Sequence, residues 1–388
     1  MNIRSTLATV FAAGLLAACG GGSGEGGGIG GTGTLHVSLT DAPSCGYDQV
    51  NVTIDRVRVN QSASAADADG GWSEIVLSPA RRVDLLTLSN GVLEDLGQTA
   101  LPAGKYTQLR LVLAPNDAAN PLANSVVPTG GTETALTTPS AQQSGLKMNV
   151  DIDVAADKIA DVVLDFDACK SVVKRGNSGQ YNLKPVITVV PVLSDAGLRV
   201  IGYVDPALGT ANTQVSVQAA GVPVKAAAPD ATGKFVLYPV PVGTYDLVVT
   251  SSGHVTAVMT GVPVVSTAFT TLNSATIPIS PPVATMRSVT GTITPVTGTV
   301  RALQPLTGGP TVEVAWGAVD ALSGAFSFSL PIEAPVKTAY VANPATLTFT
   351  PDATAAGKYT LEAASAGVVK TQAINASAVV PPVTFTFP

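Results

Sequence analysis

Apolar and polar residues alternate with a period of two through much of this chain. Leu35, Val37 and Leu39 alternate with His36, Ser38 and Thr40; Leu109, Leu111 and Leu113 repeat the pattern; and Met148, Val150, Ile152 and Val154 alternate with Asn149, Asp151 and Asp153. A strand turns successive side chains to opposite faces, so this spacing predicts half-buried antiparallel strands. Between Val50 and Val59 the apolar parity switches, from Val50, Val52 and Ile54 to Val57 and Val59, which predicts a bulge near Asp55 and Arg56. The stretch from Leu85 to Leu96 is interrupted by Asn90-Gly91 and has room for a short helix at most.

An internal echo organises these strands. Leu101-Pro102-Ala103-Gly104-Lys105-Tyr106 returns as Val240-Pro241-Val242-Gly243-Thr244-Tyr245, and more loosely as Ala355-Ala356-Gly357-Lys358-Tyr359. Each is a Gly-x-Tyr entering an apolar strand. The glycine permits a tight turn, and the tyrosine can pack its ring at a sandwich edge while its hydroxyl reaches backbone, as in a tyrosine corner. Three echoes point to three β-domains. Ser194-Asp195-Ala196-Gly197 separates the first from the second, and Pro278, Pro281 and Pro282 separate the second from the third. The expected fold class is therefore all-β: tandem antiparallel β-sandwich domains over residues 34–193, 198–280 and 287–388.

The first 33 residues follow a different pattern. Arg4 precedes an apolar run from Leu7 to Ala18, about a dozen residues, too short to span a bilayer of roughly 30 Å. Leu16-Ala17-Ala18-Cys19 closes the run and resembles a bacterial lipobox, so residues 1–18 are expected to be a lipoprotein signal peptide and Cys19 the lipidated N-terminus. Gly20 after that cysteine, by resemblance to lipoproteins of Gram-negative bacteria, implies sorting to the outer membrane. Residues 19–33 are almost all glycine and have too little apolar surface to fold, so they should act as a tether with a reach of roughly 20 Å. The expected membrane partner is reached through the lipid at Cys19.

Composition bounds what the tether carries. Of 388 residues, 46% are hydrophobic and 12% charged, enough to fill several cores, and the net charge of −6 lacks the basic footprint that nucleic acid requires. Of the three cysteines, assigning Cys19 to lipid leaves Cys45 and Cys169 as a pair in an oxidising compartment, which predicts a disulfide. It would close a loop of about 125 residues, for which chain entropy contributes roughly 4–5 kcal/mol.

That pairing would gather Asp41, Asp48, Asp165 and Asp167 into one neighbourhood. Calcium takes several carboxylate and carbonyl oxygens, so this cluster is the one candidate calcium site. The alternative is that Lys170, Lys174 and Arg175 neutralise the four acids on a solvated face.

Two family resemblances accompany this reading. Leu35 to Pro43, Leu101 to Leu111, Thr138-Pro139-Ser140, Leu164-Asp165-Phe166-Asp167-Ala168-Cys169-Lys170-Ser171 and Leu183-Lys184-Pro185 resemble, in order, the bacterial lipoprotein family called domain of unknown function 4382. The resemblance spans roughly residues 33–193 and brings no catalytic role to any residue. In the second segment, Ile201-Gly202-Tyr203-Val204, Asp230 to Leu237 and the Gly243 turn resemble the carboxypeptidase-regulatory-like, transthyretin-like sandwich, and the third segment looks like a divergent copy. For such modules the resemblance implies a structural or interaction role.

Catalytic motifs are not found in the sequence. His36 and His254 are the two histidines, placed in different domains with no H-E-x-x-H, which argues against a zinc site and predicts solvated strand or loop positions. No G-x-S-x-G, P-loop or dinucleotide motif appears. With aromatics at 5% and Trp72 and Trp316 in separate domains, no sugar-stacking platform is visible. The expectation is a non-catalytic, outer-membrane-anchored envelope lipoprotein that scaffolds or binds an envelope protein or glycan. The alternative is a carboxylate-based, glycosidase-like hydrolase using a pair among Asp41, Asp48, Asp165 and Asp167.

Overall fold

The computed structural model describes residues 31–41, 46–138, 144–192, 197–317 and 319–388. Cys19, Cys45, the expected signal peptide and most of the tether lie outside them. Among the described residues no helix is long and apolar enough to cross a membrane. The chain is nearly all strand, arranged in six sheets that stack around three separate apolar cores.

The first core lies between two sheets. One orders Ile187–Val192, Ile159–Phe166, Thr32–Asp41 and Glu94–Pro102; the other is larger and is centred on Tyr47–Asn60 and Gly104–Leu113. The expected alternation holds in Leu146–Val154, where Asn149, Asp151 and Asp153 are exposed; in the two central strands Leu35, Val37, Leu39, Leu109 and Leu111 are fully buried, but the polar Ser38, Thr40, Gln108 and Arg110 are buried too, because other segments cover their face. The pairing register shifts between Ile54 and Arg56 against both neighbouring strands, which is the bulge the parity switch predicts. Leu85–Leu88 forms one 3₁₀ turn whose Leu86 amide donates to Asp84, and Asn90 and Gly91, both at positive φ, end it.

Five of the six sheets among the described residues contain a parallel pair; the sheet of Thr311–Gly317, Thr299–Pro305, Lys358–Ser365 and Val368–Asn375 is purely antiparallel. Thr32–Asp41 runs parallel to Ile159–Phe166, Val200–Tyr203 to Thr270–Thr271, and Met286–Thr294 to Val383–Thr386. In all three domains the opening strand thus takes a parallel partner from later in the same domain. A period of two fixes which face a residue occupies but not strand direction, so the alternation could not carry this.

The tyrosine corners form. Tyr106 donates to the Pro102 carbonyl at 3.1 Å and Tyr245 to that of Pro241 at 2.9 Å, four residues back in each case. The third echo departs from this: Tyr359, 1% exposed, donates instead to the carbonyl of Pro331 at 2.6 Å. Ala355 replaces the proline of the motif, and the ring spans from Lys358–Ser365 to Ala325–Pro331 in the opposite sheet.

The second and third domains are interlocked, which departs from a self-contained third domain over 287–388. Val336–Ala339, between two strands of the third domain, adds in parallel to Ala257–Val264 of the second and is itself paired by Thr350–Pro351. The Val336 side chain sits in the second core, with Tyr340, Leu347 and Phe349 packed against it. Val248 and Val258, on the outer face of the second domain's sheet, are buried with Leu306 and Val312 of the third.

Candidate functional site at the three-domain junction

Three of the four acidic residues singled out by the sequence come together, and one does not. Asp41 ends its strand beside Phe166, one position from Asp165, so parallel pairing sets these two carboxylates at one sheet end. Asp167 follows as the N-cap of the single turn Ala168–Ser171, its carboxylate accepting the Lys170 amide at 2.9 Å. Asp41 is fully buried and accepts the Ala168 amide at 2.8 Å. Asp48 does not join them: it is exposed and accepts the Gly130 amide at 3.2 Å.

The counter-charge is a residue that the sequence reading did not weigh. Lys225, in Val222–Ala227 of the second domain, places its Nζ 2.6 Å from Asp165 Oδ1 and 3.4 Å from the Asp41 carbonyl, with 1% of its side chain exposed. A buried ammonium therefore stands where the calcium reading put a cation. Among the described residues no group of three or more His, Cys, Asp or Glu side chains is arranged to hold a metal ion. Two of the expected neutralising cations do not reach the acids: Arg175 donates to Gln180, and Lys174 is exposed. Lys170 alone of the three meets the cluster, 3.4 Å from Asp167 and 3.6 Å from Glu313 of the third domain.

Burial dominates the electrostatics here. It pushes the Asp41 carboxyl well above the ordinary carboxylate range, with the charges of Asp167 and Asp165 adding to the rise. Burial also raises Asp165, and Lys225 offsets this only in part despite its short contact. Glu313 is raised for the same reason, against the pull of Lys170 and Arg301. Arg301 binds Glu313 at 3.3 Å, Glu362 at 2.7 Å and the Gly221 carbonyl at 2.9 Å, while Gln218 and the Glu313 backbone exchange two hydrogen bonds of 2.8 Å. Lys225–Asp165 and Lys170–Glu313 thus join one domain to another, and Arg301 adds its bond to Gly221, while Asp167–Lys170 and Arg301–Glu362 stay within a domain.

Above these contacts lies a cleft of about 450 Å³ to which all three domains contribute. Tyr47, Asp167 and Lys170 line it from the first domain, residues of Thr213–Ala219 and Gly243–Ser251 from the second, and Glu313, Trp316 and Ser329 from the third. Asp41 and Asp165 are not among its lining residues. A glycosidase needs two carboxyl groups facing one opening, and of the four candidates only Asp167 reaches this one. Cys169 also lines the cleft and is not a free thiol; Cys45, its expected partner, is outside the described residues.

The histidines behave differently from each other. His254 lies in a loop beside the cleft with Nδ1 3.0 Å from the Ser252 carbonyl. His36, expected at a solvated strand or loop position, is half-buried on its strand and sits between two carboxylates: Nδ1 is 2.7 Å from Asp161 and Nε2 3.1 Å from Asp95. The pairs lie 125 and 59 residues apart in the chain, so no local motif announces them. A second opening, lined by Asp55, Arg56, Arg58, Asp67 and Glu74, is cross-linked by its own ion pairs. Beside it Trp72 is stacked between Arg58 and Arg110, whose guanidinium carbons lie 4.6 and 4.5 Å from the ring centre.

Comparison with known proteins reaches the first domain. Residues 32–185 match the family model described as Domain of unknown function (DUF4382). No curated protein matches the chain. Among solved structures, an N-terminal interface mutant of a type II cohesin–X-dockerin complex from Acetivibrio cellulolyticus aligns at 22% identity and a TM-score of 0.20, covering 23% of this chain and 59% of that one. The C-terminal interface mutant of the same complex aligns at 26% identity and a TM-score of 0.19, covering 22% and 56%. The aligned part spans just over half of those chains.

Proposed function

We propose that this protein is a non-catalytic binding scaffold of the bacterial cell envelope, lipidated at Cys19, held at the outer membrane by its glycine-rich tether, and cross-linked by a Cys45–Cys169 disulfide. The second and third domains serve as carboxypeptidase-regulatory-like modules within it. The observation that carries this reading is the use of charge: Asp165–Lys225 and Lys170–Glu313 join domains to one another, and Arg301 of the third domain donates to the Gly221 carbonyl of the second. A scaffold gains from such rigidity because a pre-ordered surface loses less entropy when it binds. The lipobox resemblance and the short apolar run before Cys19 support the anchor.

Fractionation of cells producing the full chain and its Cys19→Ala variant tests the reading. The wild-type protein is expected in the outer-membrane fraction with an acylated N-terminal cysteine by mass spectrometry, cross-linking there to an envelope protein or glycan. C19A is expected in the soluble envelope fraction. Equal membrane retention of C19A would overturn the anchor, and turnover of envelope polysaccharide by the purified protein would overturn the non-catalytic role.

A further inference from the structure

We infer that the three-domain cleft is a binding site for a neutral saccharide, an inference that rests on the scaffold reading and names a ligand class for it. Its volume of about 450 Å³ falls within the range of small-molecule sites. Its charges are already neutralised: Lys170 lies within 4 Å of both Asp167 and Glu313, and Glu313 is also held by Arg301. A charged ligand would have to displace one of these contacts.

What remains open to a ligand is neutral and polar. The side chains of Gln214, Thr250, Ser252 and Ser329 line the cleft and make no hydrogen bond to another described residue. Two aromatic rings come from different domains, Tyr47 from the first and Trp316 from the third. Rings offer faces for the C–H surface of a sugar, while amides and hydroxyls serve its hydroxyl groups. The sequence placed the two tryptophans apart and saw no platform; Trp72 is indeed committed to Arg58 and Arg110, but folding brings Trp316 to the cleft wall opposite the first domain. A peptide fits less well. Peptides commonly add to an unpaired strand edge; Thr213–Ala219 and Gly243–Ser251, which line the cleft, are paired on both sides, and at Thr311–Gly317, the edge strand that also lines it, the Gln218 side chain already takes the Glu313 amide and carbonyl.

Calorimetric titration of the full chain in detergent with cellotriose, maltotriose and chitotriose tests this, with a capped neutral tripeptide as the competing class. Saturable binding of at least one saccharide is expected. It should weaken about tenfold in Trp316→Ala, as loss of an aromatic contact implies, and less in Trp316→Phe. Gln214→Ala should weaken it with an unchanged melting temperature, which guards against a folding artefact. No heat from any of the three saccharides, or binding of the tripeptide alone, would overturn the proposal. An envelope partner captured equally by wild type and W316A would leave the scaffold standing while removing the cleft as its saccharide site.

Discussion

The junction of the first and second domains and that of the second and third solve the same problem with different chemistry. At the first, side chains do the joining: Lys225 reaches Asp165, and Asn90 exchanges hydrogen bonds with the backbone of Lys234 and Val236. At the second, a shared strand leads: Val336–Ala339 continues the sheet of its neighbour, and Val248, Val258, Leu306 and Val312 close an apolar seam beside the Gln218–Glu313 and Arg301–Gly221 hydrogen bonds. A buried ion pair needs both members, because the survivor of a broken pair keeps its desolvation cost. A strand ladder is insensitive to which side chains it carries. The first junction should therefore answer most strongly to the loss of a single charge, whereas the strand ladder of the second should tolerate side-chain changes along Val336–Ala339.

The largest effect is expected from Lys225→Met, which leaves Asp165 buried without its counter-charge and should cost about 3–5 kcal/mol. Denaturant unfolding followed by the fluorescence of Trp72 in the first domain measures it. The double variant Asp165→Leu with Lys225→Met should recover most of the loss, and a K225M cost below about 1 kcal/mol would erase the contrast between the two junctions.

The same contrast exists on a smaller scale among the tyrosines. Tyr359→Phe strips a buried cross-sheet bond from the Pro331 carbonyl and should cost about 1–3 kcal/mol, whereas Tyr245→Phe, whose bond closes within its own turn, should cost about 0.5–1.5 kcal/mol. Equal melting temperatures for the two variants would mean that the third echo carries no additional cross-sheet load.

Proton linkage sharpens the first junction further. Asp41 has a folded pKa above its unfolded value near 3.8, so its contribution to stability is fully present below about pH 4 and is lost as pH rises through the folded pKa. Asp41→Asn binds no proton in this range and keeps an acceptor for the Ala168 amide. Its melting temperature should overtake that of wild type as pH rises from 4 to 7, by about 2–4 °C at neutrality. Asp165 and Glu313, raised for the same reason, leave a residual slope in both proteins. Parallel pH profiles for the two proteins would contradict burial as the cause. The smallest effect belongs to the backbone junction: Thr338→Ala keeps every ladder amide and should stay within about 0.5 kcal/mol of wild type in calorimetry.

Much of the fold was legible because burial on one face of a strand writes itself into alternation, as at Leu35, Val37 and Leu39, and because a bulge must break that alternation, as at Asp55 and Arg56. The candidate site was legible only in half. Asp41, Asp165 and Asp167 were grouped through the expected Cys45–Cys169 pairing, and the parallel register of their strands is what brings them together. Lys225 and Glu313 were missed because their partners lie 60 and 143 residues away. Signals did exist. Lys225 is a lone charge within Val222-Pro223-Val224-Lys225-Ala226-Ala227, an otherwise apolar strand that offers it little solvent. Leu247, Val248 and Val249 are apolar in succession, which a strand can afford only when both of its faces are covered.

By itself the sequence determined what each short stretch could become: strands from period two and tight turns from Gly-x-Tyr. Those properties depend on neighbours in the chain, where sterics and burial act locally. The tertiary structure alone decided strand direction, the passage of Val336–Ala339 into the second domain, and the meeting of Asp165 with Lys225 beneath a cleft that holds Tyr47 and Trp316. Those outcomes turn on which buried surfaces and unpaired charges find one another after collapse, a competition among distant segments that no local pattern records.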